Sequence, residues 1–195
     1  MKGKYYHTEE SVQEYIKLAK DVNSGELIEK LKELLPIDSR LLELGSGPGT
    51  DWRILNETYK VTGSDHSSLF VAHLKKSNPG GTFFELDAAT LLSDLKFEGI
   101  YSNKVLHHLL TDKLKHSIRR QHAILEPKGI ICHSFWKGEG SEVFKGMFVN
   151  YHNEESLTKL FEPHFNILSL EAYSEFEVSD SLVLIARKAK EFRNL

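Results

Sequence analysis

Cys132 is the only cysteine in 195 residues, so the chain can build neither a disulfide framework nor a cysteine-rich metal site. No apolar run approaches the roughly 18 residues that would span a bilayer. The opening Met1-Lys2-Gly3-Lys4-Tyr5-Tyr6 lacks the apolar stretch of a signal peptide. An excess of basic charge is missing as well. Lys and Arg number 25 against 28 Asp and Glu, for a net charge of −3, and no basic block or stripe appears. That removes the electrostatic footprint of a nucleic-acid binder. H-E-x-x-H, a C-x-x-C pair, G-x-S-x-G and a lysine-bearing phosphate loop are all absent, and with them the usual zinc-hydrolase, serine-hydrolase and nucleotide-hydrolysing signatures. No metal, membrane or nucleic-acid partner is expected, a cytoplasmic location is the simplest reading, and oligomeric state is not legible. What remains is ordinary: 40% hydrophobic and 27% charged residues, enough for one domain with a sizeable core.

The chain shows no repeat and no low-complexity linker. Thr8 is placed to cap a first helix, with Val12, Tyr15, Ile16 and Ala19 on one face. Ser24 is placed to cap a second, with Leu27, Ile28, Leu31, Leu34 and Leu35 inward and Pro36 ending it. From Arg40 onward, strand and helix patterns alternate. Strands are expected at 40–44, 60–65, 82–86, 97–102 and 129–135, and helices near 50–57, 67–77, 112–126 and 154–162. Two further strands, at 165–173 and 181–187, are joined by a link too short for a helical crossover, so they should be antiparallel. The pattern predicts an α/β fold: a mostly parallel sheet covered on both faces.

The most informative stretch is Leu41-Leu42-Glu43-Leu44-Gly45-Ser46-Gly47-Pro48-Gly49. Its glycines let a backbone turn sharply and pass close to a ligand. Asp65 lies 20 residues beyond Gly45 at a predicted strand end, where a carboxylate can meet a ribose. A dinucleotide fingerprint requires G-x-G-x-x-G, and here the third glycine comes one residue early. Glu43 just before the turn would repel a pyrophosphate and suits a ligand carrying an amine or a sulfonium.

This stretch resembles motif I of the class I S-adenosylmethionine-dependent methyltransferases. Val61-Thr62-Gly63-Ser64-Asp65, Phe84-Glu85-Leu86-Asp87-Ala88 and Ile100-Tyr101-Ser102-Asn103 follow in that family's order and spacing. The resemblance covers nearly all of 1–188. It implies a Rossmann-like three-layer α/β/α sandwich, with a seven-stranded, mostly parallel sheet, one reversed strand and a helical lid. The expected division is 1–36 as lid and 37–195 as core. The implied cofactor is S-adenosyl-L-methionine. Its implied holders are Tyr6, Glu43, Gly45, Ser46, Gly47, Asp65, His66, Asp87, Ala88 and Asn103. Glu43 would hold the cofactor amine, Asp65 both ribose hydroxyls, and Asp87 with Ala88 the adenine.

Val105-Leu106-His107-His108-Leu109 resembles a segment of small-molecule methyltransferases, which makes His107 and His108 candidate catalytic groups; helix-start histidines with structural partners are the alternative. Tyr5, Tyr6 and His7 could close over the cofactor. The aromatic run from Phe135 and Trp136 to Phe144, Met147, Phe148, Tyr151 and His152 could contact substrate. The expectation is a methyltransferase acting on a small molecule. A catalytically silent binder of the cofactor and, less well supported, a nicotinamide-dependent dehydrogenase are the alternatives.

Overall fold

The structure is a computed structural model, and it describes residues 8–18, 24–144 and 146–190. Tyr5, Tyr6, His7 and Ala19, named above, lie outside the described residues. The elements in order are α1 (Glu9–Leu18), α2 (Gly25–Lys32), β1 (Arg40–Leu44), α3 (Thr50–Leu55), β2 (Lys60–Asp65), α4 (Ser68–Ser77), β3 (Thr82–Glu85), β4 (Phe97–Ser102), a 3-10 turn (Leu106–His108), α5 (Thr111–Ile124), β5 (Leu125–Trp136), β6 (Ser141–Phe144), β7 (Met147–Asn150), α6 (Glu154–Phe161), β8 (Phe165–Tyr173) and β9 (Ser181–Lys188).

Seven strands form one sheet in the order β3-β2-β1-β4-β5-β9-β8. β1 to β5 run parallel, and β9 is antiparallel to both of its neighbours. The fold is the expected Rossmann-like sandwich. Strand alternation splits its core in two. Leu42, Ile131, Leu182 and Leu184 belong to one cluster with Leu114 and Ile118 of α5 and Phe161 of α6. Leu41, Ile130, Val183 and Ile185 belong to the other with Ile28 of α2, Leu55 of α3 and Leu74 of α4. Side chains in a strand alternate between faces, so a strand buried on both faces reads as a continuous apolar run, as β9 does.

Helix starts follow local chemistry. Ser67 accepts the Phe70 N–H, and Asn153 forms a capping box with Ser156 at α6. Ser24 precedes α2 but makes no capping bond, because its hydroxyl serves the cleft described below.

Three expectations need correction. Leu34 lies beyond the last turn of α2 and is 37% exposed, so it is not inward. The stretch between β5 and α6, for which no strand or helix was expected, contains a hairpin, β6–β7, whose strands pair antiparallel apart from the main sheet. α2 is a covering helix of the sheet, with Leu27, Ile28 and Leu31 buried in the core. α1 instead lies against α4 through Tyr15 and Phe70, whose rings meet edge to face at 5.8 Å. No helix among the described residues is long and apolar enough to cross a membrane. No group of three or more His, Cys, Asp and Glu among them is arranged to hold a metal ion.

Candidate active site

The strand order reverses between β1 and β4, and open α/β sheets bind ligands outside the strand ends at such a point. Two adjoining cavities open there, of about 290 and 320 Å³. Tyr15, Gly45, Gly47, Asn103 and Lys104 line both, so the two form one cleft.

The β1–α3 turn forms its floor. Gly45 and Gly47 have φ of 66° and 48°, a region L-residues rarely adopt. A Cβ on Gly45 would stand 2.5 Å from Val105 Cγ2, whereas one on Gly47 would meet only the Tyr15 ring at 3.6 Å and the Gly45 carbonyl at 4.0 Å. Gly45 is therefore required by packing within the protein, and Gly47 is the open point of the floor. Ser46 lines the first cavity, but its hydroxyl points into the protein. It donates to Glu43 Oε2 at 2.6 Å and accepts the Ser64 N–H at 3.1 Å.

Glu43 is 3% exposed. Burial, then the nearby Asp51 charge, and further Asp65, push its carboxyl up to about 8 against the Ser46 hydrogen bond and Arg53. Asp51, in the first turn of α3, accepts the Tyr101 hydroxyl at 2.9 Å and Asn103 Nδ2 at 3.3 Å. Its carboxyl is also raised, chiefly by burial. Two crowded carboxyls at one end of a cleft favour a ligand that carries positive charge there.

Asp65 Oδ2 accepts the Gly47 N–H at 3.0 Å and Oδ1 the Ser67 N–H at 2.8 Å. Each oxygen retains a second acceptor position. The carboxylate thus ties the turn to the β2 end while lining the second cavity. Exposed His66 and half-buried Asp87 and Ala88 line the same cavity. Asp87 Oδ1 accepts the Ala89 N–H at 2.7 Å, the Asx-type bond of a loop entry, so Asp87 combines a local structural bond with a place on the cavity wall. Asn103 also faces the cleft, with its side chain tied back. It donates to Ser24 Oγ at 2.6 Å and accepts the Ser134 hydroxyl.

The paired histidines separate. His107 is 2% exposed, lines neither cavity, and its Nδ1 has no partner among the described residues. It packs against His108 with ring centroids 4.0 Å apart, and burial holds it well below the ordinary imidazole range. His108 lines the second cavity. Its Nδ1–H donates to the Phe148 carbonyl at 2.7 Å, which fixes the tautomer and leaves Nε2 as a lone-pair acceptor. Burial lowers its pKa and favours that neutral form. Phe148 and Met147 of β7 line the same cavity, so the aromatic run does reach the cleft, through a hairpin.

Sequence reading missed Asp51, Tyr15, Ser24, Lys104 and Glu175 as cleft residues. Asp51 had a signal, an acid two residues past the glycine turn. Lys104 and Glu175 pair across 71 positions of sequence and carried none.

Residues 41–129 match the methyltransferase domain family. Solved structures share the fold. The Burkholderia thailandensis 1,6-didemethyltoxoflavin-N1-methyltransferase, with 1,6-didemethyltoxoflavin and S-adenosylhomocysteine bound, superposes with a TM-score of 0.78 at 21% identity, over 93% of this chain and 85% of that one. The N-methyltransferase NodS of Bradyrhizobium japonicum, in complex with S-adenosylhomocysteine, gives 0.69 at 14% identity over 96% and 100%. The glycopeptide N-methyltransferase MtfA gives 0.71 at 14% over 93% and 98%. No protein of curated function matches the chain by sequence. At these identities the structural likeness is one of fold. The domain match covers residues 41–129, and the solved structures add that the chain shares the fold of S-adenosylmethionine-dependent methyltransferases.

Proposed function

We propose that the protein is an S-adenosylmethionine-dependent methyltransferase acting on a small-molecule acceptor. The observation that carries this reading is the pairing of acids at the two ends of one cleft. Glu43 and Asp51 lie on one cavity, Asp65 and Asp87 on the other, with the glycine turn between them. Glu43 and Asp51 would take the cofactor amine, and Asp65 the ribose diol, using the acceptor positions its backbone bonds leave. Asp87 and the Ala88 backbone would hold the adenine. Asn103 would act by holding Asp51 and Ser24 in place. When bound, the cofactor supplies an electrophilic methyl group on a sulfonium. His108 Nε2 would accept the acceptor's proton, and His107 would support the His108 ring from below. Tyr15, from α1, would cover the cleft as part of a lid.

Size and charge support a small acceptor. The cavities are of small-ligand scale, and net charge −3 without a basic stripe argues against nucleic acid. The structural neighbours named above include enzymes of 1,6-didemethyltoxoflavin and of a glycopeptide, which supports N-methylation as one outcome to examine. The glycine spacing and buried Glu43 count against a nicotinamide cofactor. A cytoplasmic location remains part of this proposal.

Calorimetry tests the cofactor: S-adenosylmethionine and S-adenosylhomocysteine should bind and NAD should not. The reverse result would overturn the reading. Asp65→Ala should weaken S-adenosylhomocysteine binding by about 1.5–3 kcal/mol, the scale of a hydrogen bond to a charged group, and Asp65→Asn by less. Turnover on a metabolite panel then separates an enzyme from a silent binder.

A further inference from the structure

One ion pair in the cleft has no part in that reading. Lys104 Nζ lies 2.9 Å from Glu175 Oε2, with side chains only 11% and 16% exposed. The same ammonium donates to Ser181 Oγ at 2.6 Å and stands over the Trp136 ring, 3.3 Å from its centroid. Both ends of the pair are held by separate devices. The backbone at Lys104 is left-handed, with φ of 52°, and its N–H donates to Ser134 Oγ at 2.9 Å. Glu175 sits in the β8–β9 loop, where the Asp180 carboxylate accepts the N–H groups of Glu175, Phe176 and Glu177, each at 2.9 Å. A strained backbone on one side and a three-bond clamp on the other are more than an incidental surface pair requires.

The placement of the charges is specific. Of the five residues that line both cavities, Lys104 alone carries a charge, while Glu175 lines only the cavity that holds Glu43 and Asp51. The positive end of the pair is therefore the end at the junction. A ligand with its amine on one cavity and its ribose on the other has its sulfur between them. Burial lowers Lys104 to about 8 against the pull of Glu175, which leaves it a cation at neutral pH.

We propose, resting on the cofactor reading above, that the Lys104–Glu175 pair sets the cleft's preference between the sulfonium cofactor and its neutral thioether product. The Lys104 ammonium disfavours a second positive charge at the junction, and Glu175 limits that penalty so that the cofactor still binds. The charge at sulfur is lost with the methyl group, so the same pair favours the direction of transfer and strengthens retention of the product.

The test needs no acceptor. Calorimetry on the full chain at low salt gives separate dissociation constants for S-adenosylmethionine and S-adenosylhomocysteine. Lys104→Met, which leaves Glu175 unpaired, should shift their ratio toward S-adenosylmethionine by about ten-fold. Glu175→Gln should shift it the other way, and Lys104→Arg, which keeps the charge, should leave it near the parent value. A ratio unchanged within about two-fold in both charge-altering variants, with both ligands still bound, overturns the inference. If Lys104→Met does not fold, Glu175→Gln decides alone. Failure of the parent protein to bind either ligand would instead sink the cofactor reading.

Discussion

At the β1–β2 end of the cleft, the groups facing the cavity are tied to residues nearby in sequence. Ser46 bonds Glu43 across 3 positions, Asp65 bonds Ser67 across 2, and Gly47 bonds Asp65 across 18. At the β4–β5–β9 end the same kind of bond spans the chain. Lys104 reaches Ser134 across 30 positions and Ser181 across 77, His108 reaches Phe148 across 40, and Asn103 reaches Ser24 across 79. The first region is a backbone turn that carries its own chemistry. The second is an assembly of side chains brought together only by the completed sheet. A turn of the first kind is fixed locally, while the second kind depends on every strand being in place.

The comparison is broken most severely by Gly47→Val. The new side chain must adopt φ near 48°, which a β-branched residue adopts only at considerable strain, and it would fill the open point of the floor. Cofactor affinity should fall more than about 100-fold, roughly 3 kcal/mol, while denaturant unfolding shows a loss of only about 1–2 kcal/mol. Parental affinity in this variant would mean that the turn is not the cofactor floor.

His108→Asn probes the other region. Once a methyl acceptor is in hand, turnover should drop about 100-fold, the lower range for a proton-accepting group, with S-adenosylhomocysteine affinity within about two-fold of the parent. Equal losses in affinity and turnover would assign His108 to holding the hairpin through Phe148 rather than to proton transfer.

This contrast also explains what the sequence made legible. All seven sheet strands were readable, and so was the antiparallel pairing of β8 with β9, because β9 is a continuous apolar run and the β8–β9 link is short. So was the turn, whose glycines, Glu43 and Asp65 sit at fixed spacing. The β4–β5–β9 end was not. Nothing near Lys104 announces Glu175, and His107 and His108 look alike in sequence although one is buried away from both cavities and the other lines the second. His133 makes the point again: buried between Ser102 and Gln121, it is a core hydrogen-bonding residue pushed down to about 3 by burial. The β6–β7 hairpin was hidden because an exposed, aromatic-rich stretch does not alternate cleanly.

Stability against pH probes the Glu43 end of the cleft. The Glu43 carboxyl is raised from 4.5 to about 8 in the folded protein, so the folded state binds a proton that the unfolded chain has released. Its contribution is fully present below about pH 4.5 and is lost as pH rises through about 8. The ligand-free protein should therefore lose about 2 kcal/mol relative to Glu43→Gln between pH 6 and 8. The difference from that variant cancels the buried histidines, which act in the opposite sense at lower pH. Saturating S-adenosylmethionine should reduce the slope, because a cation beside Glu43 restores its ionised form. A slope that is the same in parent and Glu43→Gln would show that Glu43 titrates normally.

The smallest effect is expected where the two regions meet. Ser24 precedes α2 and has the residue type of an N-cap, yet it makes no capping bond; its hydroxyl accepts from Asn103 Nδ2 and helps hold Asp51. Helix propensity alone says that Ser24→Asp should be neutral or stabilising, since Asp caps at least as well as Ser. The cleft says the opposite, because a third acid would then stand near Asp51 and Glu43, whose carboxyls are already raised. Ser24→Ala should lose about 1 kcal/mol, one buried hydrogen bond, and Ser24→Asp should lose more at pH 8 than at pH 5. Thermal unfolding of the two variants at both pH values decides between the views. If Ser24→Asp is the more stable at both, Ser24 is a helix cap and the network joining α2 to the cleft carries no weight.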